Sequence, residues 1–243
     1  MTVETRPSPV RRSLGYAAHV YTASGVVFAF LAAREIFDDA PDPRRVFVWL
    51  AAAGAIDATD GWLARRVDVS RTAPSISGRT IDDLLDYLTF VFLPLVLLDR
   101  MQWLPAGWGW TVVPAMGASL LGFAHVNAKF EEEGFFRGFP SYWNIFVFYA
   151  GWFSTRFDPW VTAVLLWILT ILTVSPIRLL YPNRTPDPWR TPLIVGGAIW
   201  LLLVLFALRT YPGTSAALMS VTLLYPAFYT VASVACDRQA RRP

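Results

Sequence analysis

Apolar runs long enough to cross a lipid bilayer recur along almost the whole chain, near residues 14–34, 45–66, 82–99, 103–126, 141–155, 159–177, 191–208 and 214–235. A helix needs roughly 20 apolar residues to span the hydrocarbon core. Inside lipid, each backbone N–H and C=O must find its partner within the protein, which leaves helices as the spanning element for runs of this length. The expectation is an all-α, polytopic helical membrane protein with about eight transmembrane helices, organised as a single membrane domain over residues 1–243. The fifth run is the shortest, opened by Pro140 and closed by Arg156; without it the C-terminus would emerge on the opposite side. The first run follows Arg11 and Arg12 as a signal peptide would. Its small residues, Thr22, Ala23, Ser24 and Gly25, lie within the run rather than at a cleavage site beyond it, so it reads as a retained span.

Composition agrees: 55% of the 243 residues are hydrophobic, too many for an ordinary soluble domain. Two His and one Cys rule out a thiolate or imidazole metal site and a disulfide framework, so any metal must rest on oxygen ligands. The net charge of +3 is spread between apolar runs rather than gathered on a stripe, which argues against nucleic acid as a partner. With the N-terminus inside, 15 of the 21 Lys and Arg fall on the cytoplasmic side, leaving Arg34, Arg44, Arg45, Arg100, Arg156 and Arg209 outside. That bias predicts an inner (cytoplasmic) membrane protein with both termini facing the cytoplasm.

Carboxylates stand where apolar helices should carry none. The second run ends in Asp57, Asp60, Gly61, Ala64 and Arg65, and the third begins with Gly78, Asp82, Asp83 and Asp86. On a helix, Asp57, Asp60, Gly61 and Ala64 share one face, at i, i+3, i+4 and i+7; Gly78, Asp82 and Asp86 share another, at i, i+4 and i+8. Asp83 lies about 100° round from Asp82 and falls outside the set. An Asp at the middle of a membrane helix costs roughly 2.5–3.5 kcal/mol, and less near the membrane edge. Clustered carboxylates repel one another unless a counter-charge is present, and hard divalent cations such as Mg²⁺ or Mn²⁺ are their natural partners. Gly61 and Ala64 leave room for a bulky group near the backbone, and Arg65 offers a bidentate donor for phosphate. Together these residues describe a diphosphate site. The plain alternative is a polar hairpin cap at the membrane surface, with the glycines serving helix packing.

The same residues resemble the signature of the CDP-alcohol phosphatidyltransferase family, D-x-x-D-G-x-x-A-R followed by G-x-x-x-D-x-x-x-D, with every fixed position filled: Asp57, Asp60, Gly61, Ala64, Arg65, Gly78, Asp82 and Asp86. The resemblance implies a helical membrane fold in which Asp57, Asp60, Asp82 and Asp86 ligate two Mn²⁺ or Mg²⁺ ions, Asp86 also serving as general base. It further implies that Gly61, Ala64, Arg65 and Gly78 hold the cytidine diphosphate group, and it admits a homodimer. One departure is the 12-residue spacer from Arg66 to Ser77, where most members carry a shorter one. That spacer is similar to the bacterial phosphatidylcholine synthase branch, as are His19 to Gly25 in the first span and Phe135 to Asn144 at the start of the fifth. The resemblance therefore implies transfer of a phosphatidyl group from CDP-diacylglycerol to choline with release of CMP.

Choline carries no N–H donor and is recognised by aromatic faces with a nearby anion. Tyr87, Tyr142 and Trp143 are the aromatic candidates on the cytoplasmic side, with Glu131, Glu132 and Glu133 as charge in the same loop region as the last two. A headgroup belt and a solvated acidic run are the plain readings of these features. His19 and His125, in apolar helices, read as packing residues. Two other functions compete. One is a sibling transferase acting on glycerol 3-phosphate, inositol, inositol phosphate or serine, for whose phosphorylated acceptors Arg71, Arg79 and Arg137 would supply cations. The other is a cation transporter, which also buries carboxylates but does not require Gly61, Ala64 and Arg65 at fixed spacing.

Overall fold

A computed structural model describes residues 7–125, 129–130, 134–182, 185 and 188–240. The chain divides into two compact units, Met1–Leu93 and Pro94–Pro243.

The first unit is a helical assembly. Helix α1 (Pro9–Ala23) begins at Ser8, whose hydroxyl accepts from Arg11 N–H, with Pro9 at the first helical position. Ser24 joins it to α2 (Gly25–Ile36) with αR backbone, so the two run on as one 28-residue stretch. Beside His19, its buried positions Gly15, Ala18, Thr22, Gly25, Ala29, Ala32 and Ile36 alternate steps of three and four. That spacing marks a continuous inward seam, and the seam is made mostly of small residues that permit close helix approach. Helix α3 (Pro43–Val67) packs against it, capped by Asp42, which accepts from Arg44 N–H at 2.9 Å. Hydrogen bonding from the Arg44 side chain holds the Asp42 carboxyl below its usual range.

The 12-residue spacer is not a slack loop. Asp68, in left-handed conformation (φ 53°), ends α3 and opens the short helix α4 (Val69–Thr72). Thr72 and Ala73 are buried against Gly15 so closely that a Cβ at residue 15 would overlap Thr72 Oγ1. Tyr16 Oη lies 3.0 Å from Ser75 Oγ and ties the remainder of the spacer to α1. Helix α5 (Gly78–Asp86) then starts at Ser77, whose hydroxyl accepts from Thr80 N–H. It passes into a π-helical stretch, Tyr87–Phe92, just before Pro94. Proline has no N–H to offer the carbonyl of Phe90 four residues back, and the ladder here takes the wider i→i+5 turns instead.

In the second unit α6 (Leu93–Arg100) leads to a turn rather than directly into the next helix. Gln102 and Gly107 have positive φ, and Trp108 N–H bonds Pro105 C=O at 2.9 Å. The apolar run near 103–126 is thus a turn followed by α7 (Val112–Ala124). After it come β1 (Lys129–Phe130), β2 (Phe135–Arg137), α8 (Trp143–Phe153), α9 (Pro159–Val174), β3 (Arg178–Leu180), α10 (Arg190–Ala207) and α11 (Ala216–Ala240). The three strands form a small antiparallel sheet in the order β1-β2-β3, with Phe135 opposite Leu180 and Arg137 opposite Arg178. Periodicity did not reveal it, since strands of two or three residues are too short to show alternation. Helix α8 is buried along most of its length and is held by Tyr211, whose hydroxyl donates to Phe148 C=O at 2.8 Å. Complete burial pushes the Tyr211 phenol well above its ordinary range, so it remains a neutral donor.

Among the described residues, four helices are long and apolar enough to cross a membrane: Pro9–Ile36, Pro43–Val67, Arg190–Ala207 and Ala216–Ala240. Their outward faces are strongly apolar, as Val27, Phe30, Leu202 and Leu224 illustrate. The protein is an all-α helical membrane protein.

Replacing Gly15 by Leu should drive a side chain into Thr72 and Ala73 and cost about 1–3 kcal/mol by overpacking. Thermal unfolding of the detergent-solubilised protein measures this, and an unchanged melting temperature would show that α1 does not bear on the spacer.

Candidate active site

The inward face of α3 reads Val46, Leu50, Ala53, Asp57 and Asp60, again in steps of four and three. Three apolar residues and then two carboxylates lie one after another on the same seam: hydrophobic packing runs straight into the first two aspartates. On α5, Asp82 and Asp86 stand one turn apart, half-buried. The two helices bring carboxylate oxygens of Asp57, Asp82 and Asp86 within 4.8 Å of one another. Asp60, only 8% exposed, lies outside that closest group but lines the same cleft. Thr22 and Gly25 form the wall from the first helical stretch, Leu85 and Thr89 the wall from α5 and the π-helical turn. Asp83 faces elsewhere and pairs with Arg79 at 3.7 Å.

The small residues of the two aspartate segments have distinct surroundings. Beside Gly61 lies the Arg65 guanidinium, its Nη1 3.3 Å from where a Cβ would stand, so a larger residue would press on that group. Arg65 itself is exposed and Ala64 half-buried. Arg66, by contrast, lies over the Trp62 ring, 5.2 Å from its centroid. Gly78 faces His19, whose Cε1 and Nδ1 are 3.1 and 3.3 Å from the position of a Cβ. His19 is buried, and its Nε2 has no hydrogen-bond partner among the described residues. Tyr21, two residues on, bonds Thr59 at 2.7 Å and fastens α1 to α3 between the two aspartates of that helix.

Thr22, Gly25, Thr89 and the packing of His19 on Gly78 were not read as part of the site from sequence. The three-four spacing of small residues through α1 and α2 is the signal that could have found the first two. Of the aromatic candidates, Tyr87 opens the π-helical stretch and is half-buried, and Tyr142 is half-buried ahead of α8. Trp143 is fully buried, and its indole N–H donates to Ser119 Oγ at 2.7 Å, which makes it a core residue with its polar handle already occupied. Glu131, Glu132 and Glu133 lie outside the described residues. His125 is exposed at the end of α7.

Three carboxylates at such separation, with a fourth in the same cleft and no thiolate among them, suit a hard divalent cation on oxygen ligands. Adding Mn²⁺ should therefore raise the melting temperature of the purified protein, by an amount corresponding to about 2.7 kcal/mol at a hundredfold excess over the dissociation constant. Asp82→Asn should remove more than half of that metal-induced shift; an equal shift in the variant would remove Asp82 from the ligand set.

No family model matches the chain. Curated relatives match it over most of its length. It is 34% identical to the phosphatidylcholine synthase of Bradyrhizobium diazoefficiens over 224 residues, 90% of this chain and 81% of the relative. It is 34% identical to that of Legionella pneumophila over 223 residues, 87% of this chain and 84% of the relative. With that of Pseudomonas aeruginosa the identity is 32% over 185 residues, 76% of each chain. With carboxylates converging from two helices and relatives of this identity and coverage, the chain belongs to the phosphatidylcholine synthase family, enzymes of the CDP-alcohol phosphatidyltransferase type.

Proposed function

We propose that the protein transfers the phosphatidyl group of CDP-diacylglycerol to choline and releases CMP. The observation that carries the chemistry is the convergence of Asp57, Asp82 and Asp86 within 4.8 Å; the relatives' shared name supports the acceptor. In this reading Asp57, Asp60, Asp82 and Asp86 hold two Mn²⁺ or Mg²⁺ ions, which neutralise charge on the diphosphate when bound. Gly61, Ala64 and Gly78 leave room for the cytidine diphosphate group, and Arg65 donates to it. The site and both termini face the cytoplasm, at the inner membrane.

Asp86 takes the proton of the choline hydroxyl as general base. The hydroxyl oxygen forms a bond to the phosphorus that bears diacylglycerol, the anhydride bond to CMP breaks, and CMP leaves with the electron pair. No covalent enzyme intermediate is needed.

An acceptor panel tests the reading. Purified protein with CDP-diacylglycerol and Mn²⁺, offered choline, glycerol 3-phosphate, serine and inositol in turn, should release CMP with choline alone. Turnover of another acceptor without choline would move the protein to a different reaction in the same family. In the same assay Asp86→Asn, verified as folded and inserted, should lose at least roughly a hundredfold in kcat; a wild-type rate would remove Asp86 as the base.

A further inference from the structure

His19 is more than the packing residue its apolar helix suggests. It is 5% exposed, and its Nε2 has no hydrogen-bond partner among the described residues. A buried polar nitrogen has lost its water and is ordinarily hydrogen-bonded in exchange, so an exception calls for an account. The ring rests on the start of α5. A Cβ on Gly78, the first residue of that helix, would stand 3.1 Å from His19 Cε1 and 3.3 Å from Nδ1, and any larger residue there would displace the ring. Nε2 is covalently bonded to the nearer of those two atoms and so lies beside the helix start.

The first N–H groups of a helix have no partner within it and carry its partial positive charge, which suits an anion. The capping hydroxyl of Ser77 is engaged further along: it accepts from Thr80 N–H at 3.2 Å and lies 2.8 Å from Thr80 Oγ1. Gly78 and Arg79 come before that contact. The position of His19 and Gly78 relative to the carboxylates identifies the anion. Thr22 and Asp82 line the cleft; His19 lies one turn before Thr22 on α1, and Gly78 one turn before Asp82 on α5. Ser77, Arg79 and Thr80 around the helix start are polar and exposed, so this layer is on the water side of the cleft. Of the two phosphates of a CDP-lipid, the one that carries cytidine belongs on that side, since diacylglycerol stays with the bilayer.

We propose that His19 donates through Nε2–H to a non-bridging oxygen of the cytidine-bearing phosphate, beside the first N–H groups of α5. Phosphate oxygens only accept, so the imidazole serves as the donor and no proton is transferred. When the anhydride bond breaks and CMP leaves with the electron pair, negative charge grows on that phosphate and the hydrogen bond strengthens. A contact that is stronger in the transition state than in the ground state raises kcat. This inference rests on the reading of the carboxylate cleft as the CDP-diacylglycerol site.

The test uses full-length protein with Mn²⁺ and two substitutions: His19→Leu removes the donor and keeps most of the bulk, whereas His19→Gln returns an N–H close to where Nε2 stood. The inhibition constant of CMP against CDP-diacylglycerol should rise about tenfold in His19→Leu and recover most of the way in His19→Gln. Cytidine, which lacks the phosphate, should inhibit both variants as it inhibits wild type. In His19→Leu kcat should fall by a larger factor than KM for CDP-diacylglycerol rises. The melting-temperature rise produced by Mn²⁺ alone should be the same in all three proteins; its loss in both variants would make His19 a packing residue and overturn the inference. An unchanged CMP constant in both variants overturns the inference alone, and so does an equal weakening of CMP and cytidine, which would place the ring on the base. Wild-type protein that neither releases CMP from CDP-diacylglycerol nor is inhibited by it overturns the proposed function and this inference with it.

Discussion

Carboxylates that face one another repel unless a counter-charge is present, so their convergence depends on helices packed closely enough to hold them at one site. The first unit supplies that packing through seams of small residues. Gly15, Ala18, Thr22 and Gly25 on one helical stretch, and Ala53 on α3, let main chains approach closely enough for Asp57, Asp82 and Asp86 to converge. A bulky residue anywhere along these seams would widen the gap between helices, and with it the separation of the carboxylates.

The sequence made the helical faces legible because period alone defines them. Asp57 with Asp60, and Asp82 with Asp86, fall on shared faces by arithmetic, and Asp83 by the same arithmetic falls outside, where it meets Arg79. Which helix those faces meet is a tertiary fact, and hydropathy is silent on it. The contacts of His19 with Gly78 and of Gly15 with Thr72 join residues far apart in the chain. Apolar content also misled at one point: residues 103–108 read as the start of the run over 103–126, but Pro105 and Gly107 lie in a turn there.

The second unit shows the same limit from another direction. Tyr142 and Trp143 are adjacent, aromatic and equivalent on paper, yet one is half-buried and the other completely enclosed. What separates them is Ser119, a small polar residue more than twenty positions earlier that takes hydrogen bonds from both Ser141 and Trp143. Strands of two or three residues, too brief to leave a periodic trace, then bring Phe136 and Tyr181 to the same place.

The spacer between the two aspartate segments has a consequence for how such proteins diverge. Because α4 and Ala73 rest directly on Gly15, spacer length and the residue at position 15 are not independent characters. A lineage that shortened the spacer would lose the turn that Gly15 accommodates and would leave an unfilled notch in α1, to be closed by a larger side chain. One that enlarged residue 15 first would displace the turn and tilt the start of α5. A change at either position alone thus disturbs the packing of the other.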